Sequence, residues 1–285
     1  QGGKTRLLQL LATSRILGIE RCYPYARGER PRRWHAIMVR SPRLHVWSMY
    51  HQCAVAAKEH ESRAVHNRAW PLYDKEFRGS AGNKTLKHGS EPGFHEWTRH
   101  FVEQQTAQPF ACYYHPSNLQ SRALTCHRME SHRVEERNWV PNLQGVLSQL
   151  RSIDFVGISD FFHESLCLLK LSTWDLAPHD RTCMCQLEHV PARAEAHNTH
   201  NTHSPRLPTD PELLHLVDRL TQVDRAMFEA ALQLFFRRLV SLERRLGFRV
   251  VCPPRVSEVQ AKLPYINVSS IYWNEYYRSS LVSDV

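Results

Sequence analysis

Residues 36 to 50 read AIMVRSPRLHVWSMY, and this stretch joins a short apolar run to a run with helical spacing. Residues 36 to 39 have the length and character of a buried parallel strand, and Pro42 prevents a helix from beginning before it. After the proline, apolar side chains recur at roughly helical spacing: Leu44, Val46, Trp47 and Tyr50. The stretch therefore predicts a strand that passes directly into a helix.

A cation and a hydroxyl accompany this predicted turn. Arg40 follows the strand, and Ser48 lies eight residues later on the second turn of the helix. Open α/β sheets bind their ligands at the carboxyl ends of the strands, and an arginine there can form paired hydrogen bonds with a phosphate. We therefore expect Arg40 to bind a phosphate group and Ser48 to add a hydrogen bond.

Strand-like and helix-like segments alternate along the chain, which predicts a parallel sheet flanked by helices. Further strands are predicted at residues 155 to 158 and 248 to 251. Helices are predicted at residues 5 to 17, 96 to 103, 140 to 152, 161 to 171, 211 to 220 and 224 to 246. Long surface loops are expected near residues 60 to 100 and 174 to 211. With 285 residues and 42% hydrophobic content, the chain can hold one large α/β domain or two small ones, and we expect a single domain over residues 1 to 285.

The segment after residue 153 is expected to supply much of the core. Its apolar side chains are those that a sheet and its covering helix would bury: Phe155, Val156, Ile158, Leu166, Leu168 and Leu169. Glu164, in the same segment, is expected to be a solvated helix residue.

The charge balance predicts anionic partners. Lysine and arginine number 37 against 28 acidic residues, and 18 histidines add positive charge in a mildly acidic compartment. Nucleic acid, acidic glycans and a nucleotide cofactor all fit this charge.

Eight cysteines favour an oxidising secretory compartment. Asn83 and Asn267 each begin an acceptor sequon for an N-glycan. Cysteines and histidines near residue 190 offer either disulfides or soft metal ligands, and the sequence leaves both open: Cys183, Cys185, His189 and His197. No apolar run is long enough to span a membrane.

The glycine-rich start of the chain predicts a phosphate cradle. Gly2, Gly3, Lys4 and Thr5 precede a predicted helix, and backbone amides at such a helix start bind anions. The same residues resemble the end of a nucleotide-kinase loop, Gly-Lys-Thr. A kinase would also need an acidic Mg²⁺ ligand at the end of a later strand, for which Asp160 is the candidate.

One pattern resembles the 3′-phosphate-binding element of sulfotransferases that use 3′-phosphoadenosine-5′-phosphosulfate (PAPS). It consists of Arg40, the proline two residues later, Pro42, and the serine Ser48. Further segments are similar to the Golgi-type carbohydrate O-sulfotransferases: residues 118 to 124, 154 to 158, 164 to 169 and 224 to 236. The resemblance implies a P-loop-like, three-layer α/β domain with a central parallel sheet. It also implies transfer of a sulfuryl group from PAPS to a carbohydrate hydroxyl, without a metal and without a nucleic-acid partner.

The resemblance also assigns site residues. The cofactor-binding residues would be Gly2, Gly3, Lys4, Thr5, Arg40, Ser48, Asn198, Thr199 and Asn201. Asn118, Gln120 and Arg122 would face the acceptor, with a helix cap at Ser117 or Asn118 as the structural alternative. His35 and Glu29 are the candidates for the base that takes the acceptor's proton.

The resemblance places the protein in the Golgi lumen, as the catalytic domain of a membrane-anchored protein whose anchor is absent from this chain. Two other functions stay open at this point. One is a P-loop nucleotide or small-molecule kinase. The other is a noncatalytic glycan-binding module that uses the basic surface.

Overall fold

The computed structural model describes residues 35–61, 91–103, 116–125, 140–173, 181–185 and 207–281. The described part of the chain is mostly helical, with one pair of strands. The strands are β1 (Ala36–Val39) and β2 (Phe155–Ile158). The helices are α1 (Pro42–Glu61), α2 (Glu91–Glu103), α3 (Leu119–Leu124), α4 (Leu143–Arg151), α5 (Phe162–Thr173), α6 (Pro211–Leu220), α7 (Gln222–Leu246), α8 (Pro253–Lys262) and α9 (Val268–Leu281). Short 3₁₀ turns cover Ser159–Phe161 and Arg181–Cys183.

The two strands are parallel, so the predictions of strands at residues 36 to 39 and 155 to 158 are confirmed. Ala36 pairs with Phe155, and Val39 pairs with Ile158 at the other end of the ladder. Strand β2 is buried along its whole length, whereas Ala36 and Met38 of β1 are exposed. The prediction that β1 is a buried strand is therefore wrong at Ala36 and Met38. The predicted three-layer domain with a central sheet is not shown, because this part of the chain contains only these two strands.

Gly157 allows β2 to lie close to its neighbours. A Cβ atom on Gly157 would come within 2.2 Å of Met38 Sδ, 3.0 Å of the Phe155 ring and 3.1 Å of Ser165 Cβ. Ser165, on α5, also donates a hydrogen bond from its hydroxyl to the Ile158 carbonyl at 3.0 Å. The small residue therefore permits close packing of β1 and α5 on β2.

Helix α7 forms the centre of the larger core. It is 25 residues long and ends at Gly247, whose φ of 75° is a left-handed conformation that suits glycine. Apolar side chains on one side of α7 are fully buried against the sheet and the flanking helices: Phe228, Ala231, Leu232, Phe235, Phe236 and Leu239. The helix predicted at residues 224 to 246 is therefore confirmed.

Aromatic rings form a second core between α1, α2 and α6. The Trp47 and Phe94 ring centres are 4.6 Å apart, and those of Trp97 and Phe101 are 4.7 Å apart. Phe94, Trp97 and Phe101 recur at helical spacing and bury one face of α2. The prediction of a loop near residues 60 to 100 is therefore wrong over residues 91 to 100, where the helix predicted at residues 96 to 103 begins five residues earlier.

The strand predicted at residues 248 to 251 is wrong. The backbone N–H groups of Val250 and Val251 both donate to Glu243 Oε1, at 2.7 and 2.9 Å. A buried carboxylate at the end of α7 thus takes the donors that a strand partner would have used.

Two disulfides fasten the 3₁₀ turn at residues 181 to 183 to the helical core. Cys167 of α5 is bonded to Cys183, and Cys185 is bonded to Cys252, the residue before α8. Cys183 and Cys185 therefore each belong to a different disulfide and are not thiolate metal ligands. None of the helices in the described ranges is long and apolar enough to cross a membrane.

Candidate functional site

The carboxyl ends of β1 and β2 meet at one edge of the pair, and this edge is the candidate site. Strand β1 ends at Val39, and Arg40 and Ser41 lead directly into α1. Strand β2 ends at Ile158, and Asp160 follows in a 3₁₀ turn. Ser41, His45 and Ser48 fall within one stripe along the first two turns of α1, because residues four and three apart share a helix face. We call Arg40, Ser41, His45 and Ser48 the β1–α1 corner.

Gln120 holds the backbone of this corner in place. The Arg40 N–H donates to Gln120 Oε1 at 2.9 Å, and Gln120 Nε2 donates to the Arg40 carbonyl at 2.9 Å. The side-chain amide of α3 thus pairs with Arg40 as a neighbouring strand would. The polar end of the Gln120 side chain is used by these two bonds.

Asp160 caps the start of α1. Its Oδ2 accepts a hydrogen bond from the Ser41 N–H at 3.1 Å, and its Oδ1 accepts one from the Ser41 hydroxyl at 3.2 Å. Burial raises the pKa of Asp160, whereas the bonds from Ser41 and the charge of Arg40 act in the opposite direction. Both carboxyl oxygens are therefore engaged, and an internal carboxyl group already occupies the start of the helix.

The guanidinium of Arg40 carries hydrogen-bonding capacity that the described residues do not use. The side chain is partly buried, and desolvation lowers the pKa of Arg40 while the charge of Asp160 opposes that shift. Among the residues that the structure describes, none forms a hydrogen bond or an ion pair with this guanidinium, and none bonds the Ser48 hydroxyl. A desolvated cation and a hydroxyl are thus available to an incoming anion.

The Arg43 guanidinium packs on the Tyr265 ring beside the β1–α1 corner. Arg43 Nε and Nη2 donate to the two carboxylate oxygens of Asp218 at 2.7 and 2.6 Å. The Arg43 guanidinium also lies 4.0 Å from the centre of the Tyr265 ring. Asp218 therefore neutralises the charge of Arg43. Arg40, in contrast, forms no ion pair with a described residue.

Asn118 and Arg122, two of the residues predicted to face the acceptor, lie in the interior. Asn118 is the residue before α3 and has a left-handed backbone, with a φ of 48°. Its Oδ1 accepts hydrogen bonds from the N–H groups of Val223 and Asp224, so Asn118 caps α7 rather than α3. Arg122 is 2% exposed and lies beside the charge of Asp224. A role for Asn118, Gln120 and Arg122 in acceptor binding stays a prediction. In the structure, Asn118 and Gln120 bond backbone groups of other elements, and Arg122 is buried.

His35, a candidate base, lies at the opposite end of β1 from Arg40. Its backbone N–H donates to Asp154 Oδ2 at 2.9 Å, and its ring Nδ1 is 3.8 Å from the same oxygen. The four residues of β1 separate His35 from Arg40, and the five residue steps between them correspond to about 16 Å at the usual rise per residue. The structure therefore does not bring His35 together with the β1–α1 corner.

The other predicted site residues lie outside the described residues: Gly2, Gly3, Lys4, Thr5, Glu29, Asn198, Thr199 and Asn201. Their roles stay predictions. The same holds for the helix predicted at residues 5 to 17, for the sequon at Asn83, and for His189 and His197.

Glu164 is buried on α5, so the prediction that it is a solvated helix residue is wrong. Its Oε1 lies 3.6 Å from Nε of Arg255, whose Nη2 also donates to the Asp160 carbonyl at 2.9 Å. Burial raises the pKa of Glu164, and the charge of Arg255 opposes that shift. Arg255 thus links α8 to the turn that carries Asp160. No sequence pattern singled out Arg255, because its partners are distant in the chain.

His45 also belongs to the corner but was not among the predicted site residues. The helical spacing of Ser41, His45 and Ser48 could have identified it. Burial lowers the pKa of His45 to about 4, and the charge of Arg40 acts in the same direction, so the ring is neutral near pH 7.

Comparisons with protein-family models, with curated proteins and with solved structures find no match to this chain. Among the described residues, no group of three or more histidine, cysteine or acidic side chains could hold a metal ion.

Proposed function

We propose that this protein is a PAPS-dependent sulfotransferase that transfers a sulfuryl group to a hydroxyl of a carbohydrate acceptor. The observation that carries the proposal is the position of Arg40, at the carboxyl end of a strand in a parallel pair, with Ser48 on the helix that follows. This is the layout expected of the 3′-phosphate-binding element that the sequence resembles. Open α/β sheets bind nucleotides at this edge.

The chemistry of the corner fits a phosphate group. A partly buried guanidinium with no hydrogen-bond partner among the described residues favours a dianion that can accept two of its donors. The Ser48 hydroxyl can donate a further bond from the same side of α1. Asp160 forms no direct hydrogen bond with the Arg40 guanidinium, and both of its oxygens accept from Ser41.

The remaining parts of the proposed site come from the resemblance. Bound PAPS would supply the sulfuryl group, and the amides and side chains of residues 2 to 5 would hold its 5′-phosphosulfate. Asn198, Thr199 and Asn201 would contact the nucleotide, and Glu29 is the remaining candidate for the base that takes the acceptor's proton, because His35 lies at the opposite end of β1 from Arg40. The protein's task in such a transfer is chiefly to position the two reactants and to stabilise charge on the bridging oxygen.

Two features support a secretory compartment, with the Golgi lumen as the proposed one. The disulfides Cys167–Cys183 and Cys185–Cys252 are typical of an oxidising environment. Asn267, which begins an N-glycan sequon, is exposed at the start of α9, and its Oδ1 accepts from the Ser270 N–H. This arrangement leaves the amide nitrogen for a glycan.

A calorimetric titration with 3′-phosphoadenosine-5′-phosphate (PAP), the product nucleotide, tests the proposal. The folded protein should bind PAP in preference to ATP with Mg²⁺, and Arg40→Ala should weaken PAP binding by about tenfold or more. Arg219→Ala, which deletes an exposed arginine of α6, is the matched control and should bind as the wild type does.

Each alternative function predicts a different outcome. Binding of ATP that requires Mg²⁺ and ignores Arg40→Ala would favour a kinase. Salt-sensitive binding of a heparin-like chain without any nucleotide binding would favour a glycan-binding module. Either result would overturn the sulfotransferase proposal.

A further inference from the structure

His45 lies on the first turns of α1, after Arg40 and one helical turn before Ser48, the two proposed phosphate ligands. Helical geometry places His45 about 4.5 Å from Ser48 along the axis of α1 and on the same face. The His45 N–H donates to the Ser41 carbonyl at 2.9 Å, so this part of the helix is regular up to its first residue. The charge of Arg40 acts on the ring.

The His45 ring is available for a ligand. Among the described residues, none forms a hydrogen bond or an ion pair with it. Three carboxylates on the helices that pack against α1 are engaged elsewhere: Asp218 of α6 by Arg43, Glu212 of α6 by Arg99 of α2, and Asp224 of α7 by the N–H groups of Gln120 and Ser121. The neighbouring carboxylate at the sheet edge, Asp160, is engaged by Ser41. A ligand anion would therefore be the partner that stabilises a charged His45.

We propose that His45 is a third ligand of the 3′-phosphate, and that it takes up a proton when the nucleotide binds. The inference rests on the proposed function, because it requires a nucleotide phosphate at Arg40. In the free protein the ring stays neutral near pH 7, since burial and the Arg40 charge both disfavour the imidazolium. A phosphate dianion held by Arg40 and Ser48 supplies the opposite charge, so the imidazolium becomes favourable in the complex.

The sign of the pH dependence follows from this coupling. The complex binds one more proton than the free protein over the pH range between the two pKa values of His45. The affinity for PAP therefore rises as the pH falls from about 8 towards about 7, which stays about one pH unit above the second pKa of a phosphate group. His45 thus makes nucleotide binding tighter in a mildly acidic compartment.

Calorimetric titration of PAP at several pH values between about 7 and 8 tests the inference. The wild type, His45→Gln and a control, His215→Gln, are compared; His215 lies exposed on α6. Glutamine keeps a neutral hydrogen-bonding group at position 45 but cannot take up the proton. We expect His45→Gln to bind PAP about tenfold more weakly at the acidic end, with an affinity that changes little with pH. The His215→Gln control should follow the wild type.

The outcomes separate the two proposals. If His45→Gln binds PAP with the affinity and pH dependence of the wild type, His45 is not a phosphate ligand, while the sulfotransferase proposal stands. If the folded wild type binds no PAP at any pH, both proposals are overturned. Circular dichroism of each variant establishes that it is folded.

Discussion

Gln120 and Arg40 are joined by two hydrogen bonds of 2.9 Å, one in each direction between the glutamine amide and the arginine backbone. The pair links α3 to the end of β1 across 80 residues of sequence. Because the bonds hold the backbone, they set the direction in which the Arg40 side chain leaves the sheet. The geometry of the proposed phosphate site therefore depends on a residue that need not touch the phosphate.

Replacing Gln120 should weaken both the fold and nucleotide binding. Gln120→Ala leaves a partly buried N–H and carbonyl of Arg40 unsatisfied, at a cost of about 1 to 3 kcal/mol in the free energy of unfolding. We expect urea denaturation to show this loss and calorimetry to show weaker PAP binding. Gln144→Ala, which removes an exposed glutamine from α4, is the control. Unchanged PAP affinity in folded Gln120→Ala would show that this pair does not position Arg40.

Gly157→Ala should destabilise the protein by about 1 to 3 kcal/mol, because the added methyl group overpacks the space between β2 and α5. Its nearest neighbour would be Met38 Sδ, the end of a flexible side chain that is 43% exposed. Adding Met38→Ala should therefore restore part of the lost stability, which a double-mutant cycle measures. If Gly157→Ala lowers the free energy of unfolding equally in the wild type and in Met38→Ala, the overpacking is against Phe155 and Ser165 instead.

The two disulfides should differ in their contribution to stability. Cys185 and Cys252 are separated by 67 positions, and Cys167 and Cys183 by 16. If each disulfide acts by restricting the unfolded chain, replacing the first pair by alanines should cost about 1 kcal/mol more than replacing the second. Denaturation of the two double variants under oxidising conditions measures the difference. A larger loss for the shorter loop would contradict this entropic account.

Asp224 should make the protein less stable as the pH rises from about 4 to about 6. Burial raises the pKa of this carboxyl to about 6 in the folded state, while bonds from Ser121 and Gln120 and the charge of Arg122 act in the opposite direction. The folded state therefore binds more protons than the unfolded state over this range, and the free energy of unfolding falls as the pH rises. For a carboxyl whose pKa is higher by one in the folded state than in the unfolded state, this fall amounts to about 1.4 kcal/mol.

Asp224→Asn removes this titration. We expect its urea denaturation curves to lose the fall in stability that the wild type shows between about pH 4 and 6. Asp154→Asn, at an exposed carboxylate near β2, should keep the fall. An Asp224→Asn variant with the slope of the wild type would show that the carboxyl is not buried as a proton-binding group.

The elements that the sequence predicted correctly have local causes. Pro42 and the apolar spacing after it are sufficient to begin α1, and Asp210 with Pro211 defines the start of α6. The side chain of Asp210 accepts from the Leu213 N–H, as an N-cap does. Signals of this kind depend on neighbouring residues only, so they are readable without the tertiary structure.

The predictions that were wrong concern groups whose partners are distant in the sequence. Glu243 satisfies the amides of Val250 and Val251, which removes the predicted strand. Leu166, predicted to be core, is 44% exposed because α5 turns that side away from β2. Helices α8 and α9 were not predicted, and their packing depends on tertiary contacts: α9 packs against α7, and α8 packs against α9.

The candidate site also contains features that neighbouring residues predict and features that depend on distant residues. The strand, the proline and the serine spacing predicted the position of Arg40, and the structure has it at the carboxyl end of β1. The burial of Asn118 and Arg122 could not be predicted, because it depends on Asp224, which lies 106 and 102 residues further along the chain. Polar residues of this kind look exposed in a sequence until a buried partner is identified.

The central claim is that Arg40 recognises the 3′-phosphate of the nucleotide, and a four-way calorimetric comparison tests it most directly. PAP and adenosine 5′-phosphate, which lacks the 3′-phosphate, are each titrated into the wild type and into Arg40→Ala. The account predicts that the wild type prefers PAP by about tenfold or more, and that Arg40→Ala removes this preference while binding adenosine 5′-phosphate as the wild type does. A preference for PAP that persists in Arg40→Ala, or a wild type that binds both nucleotides equally, would contradict the account.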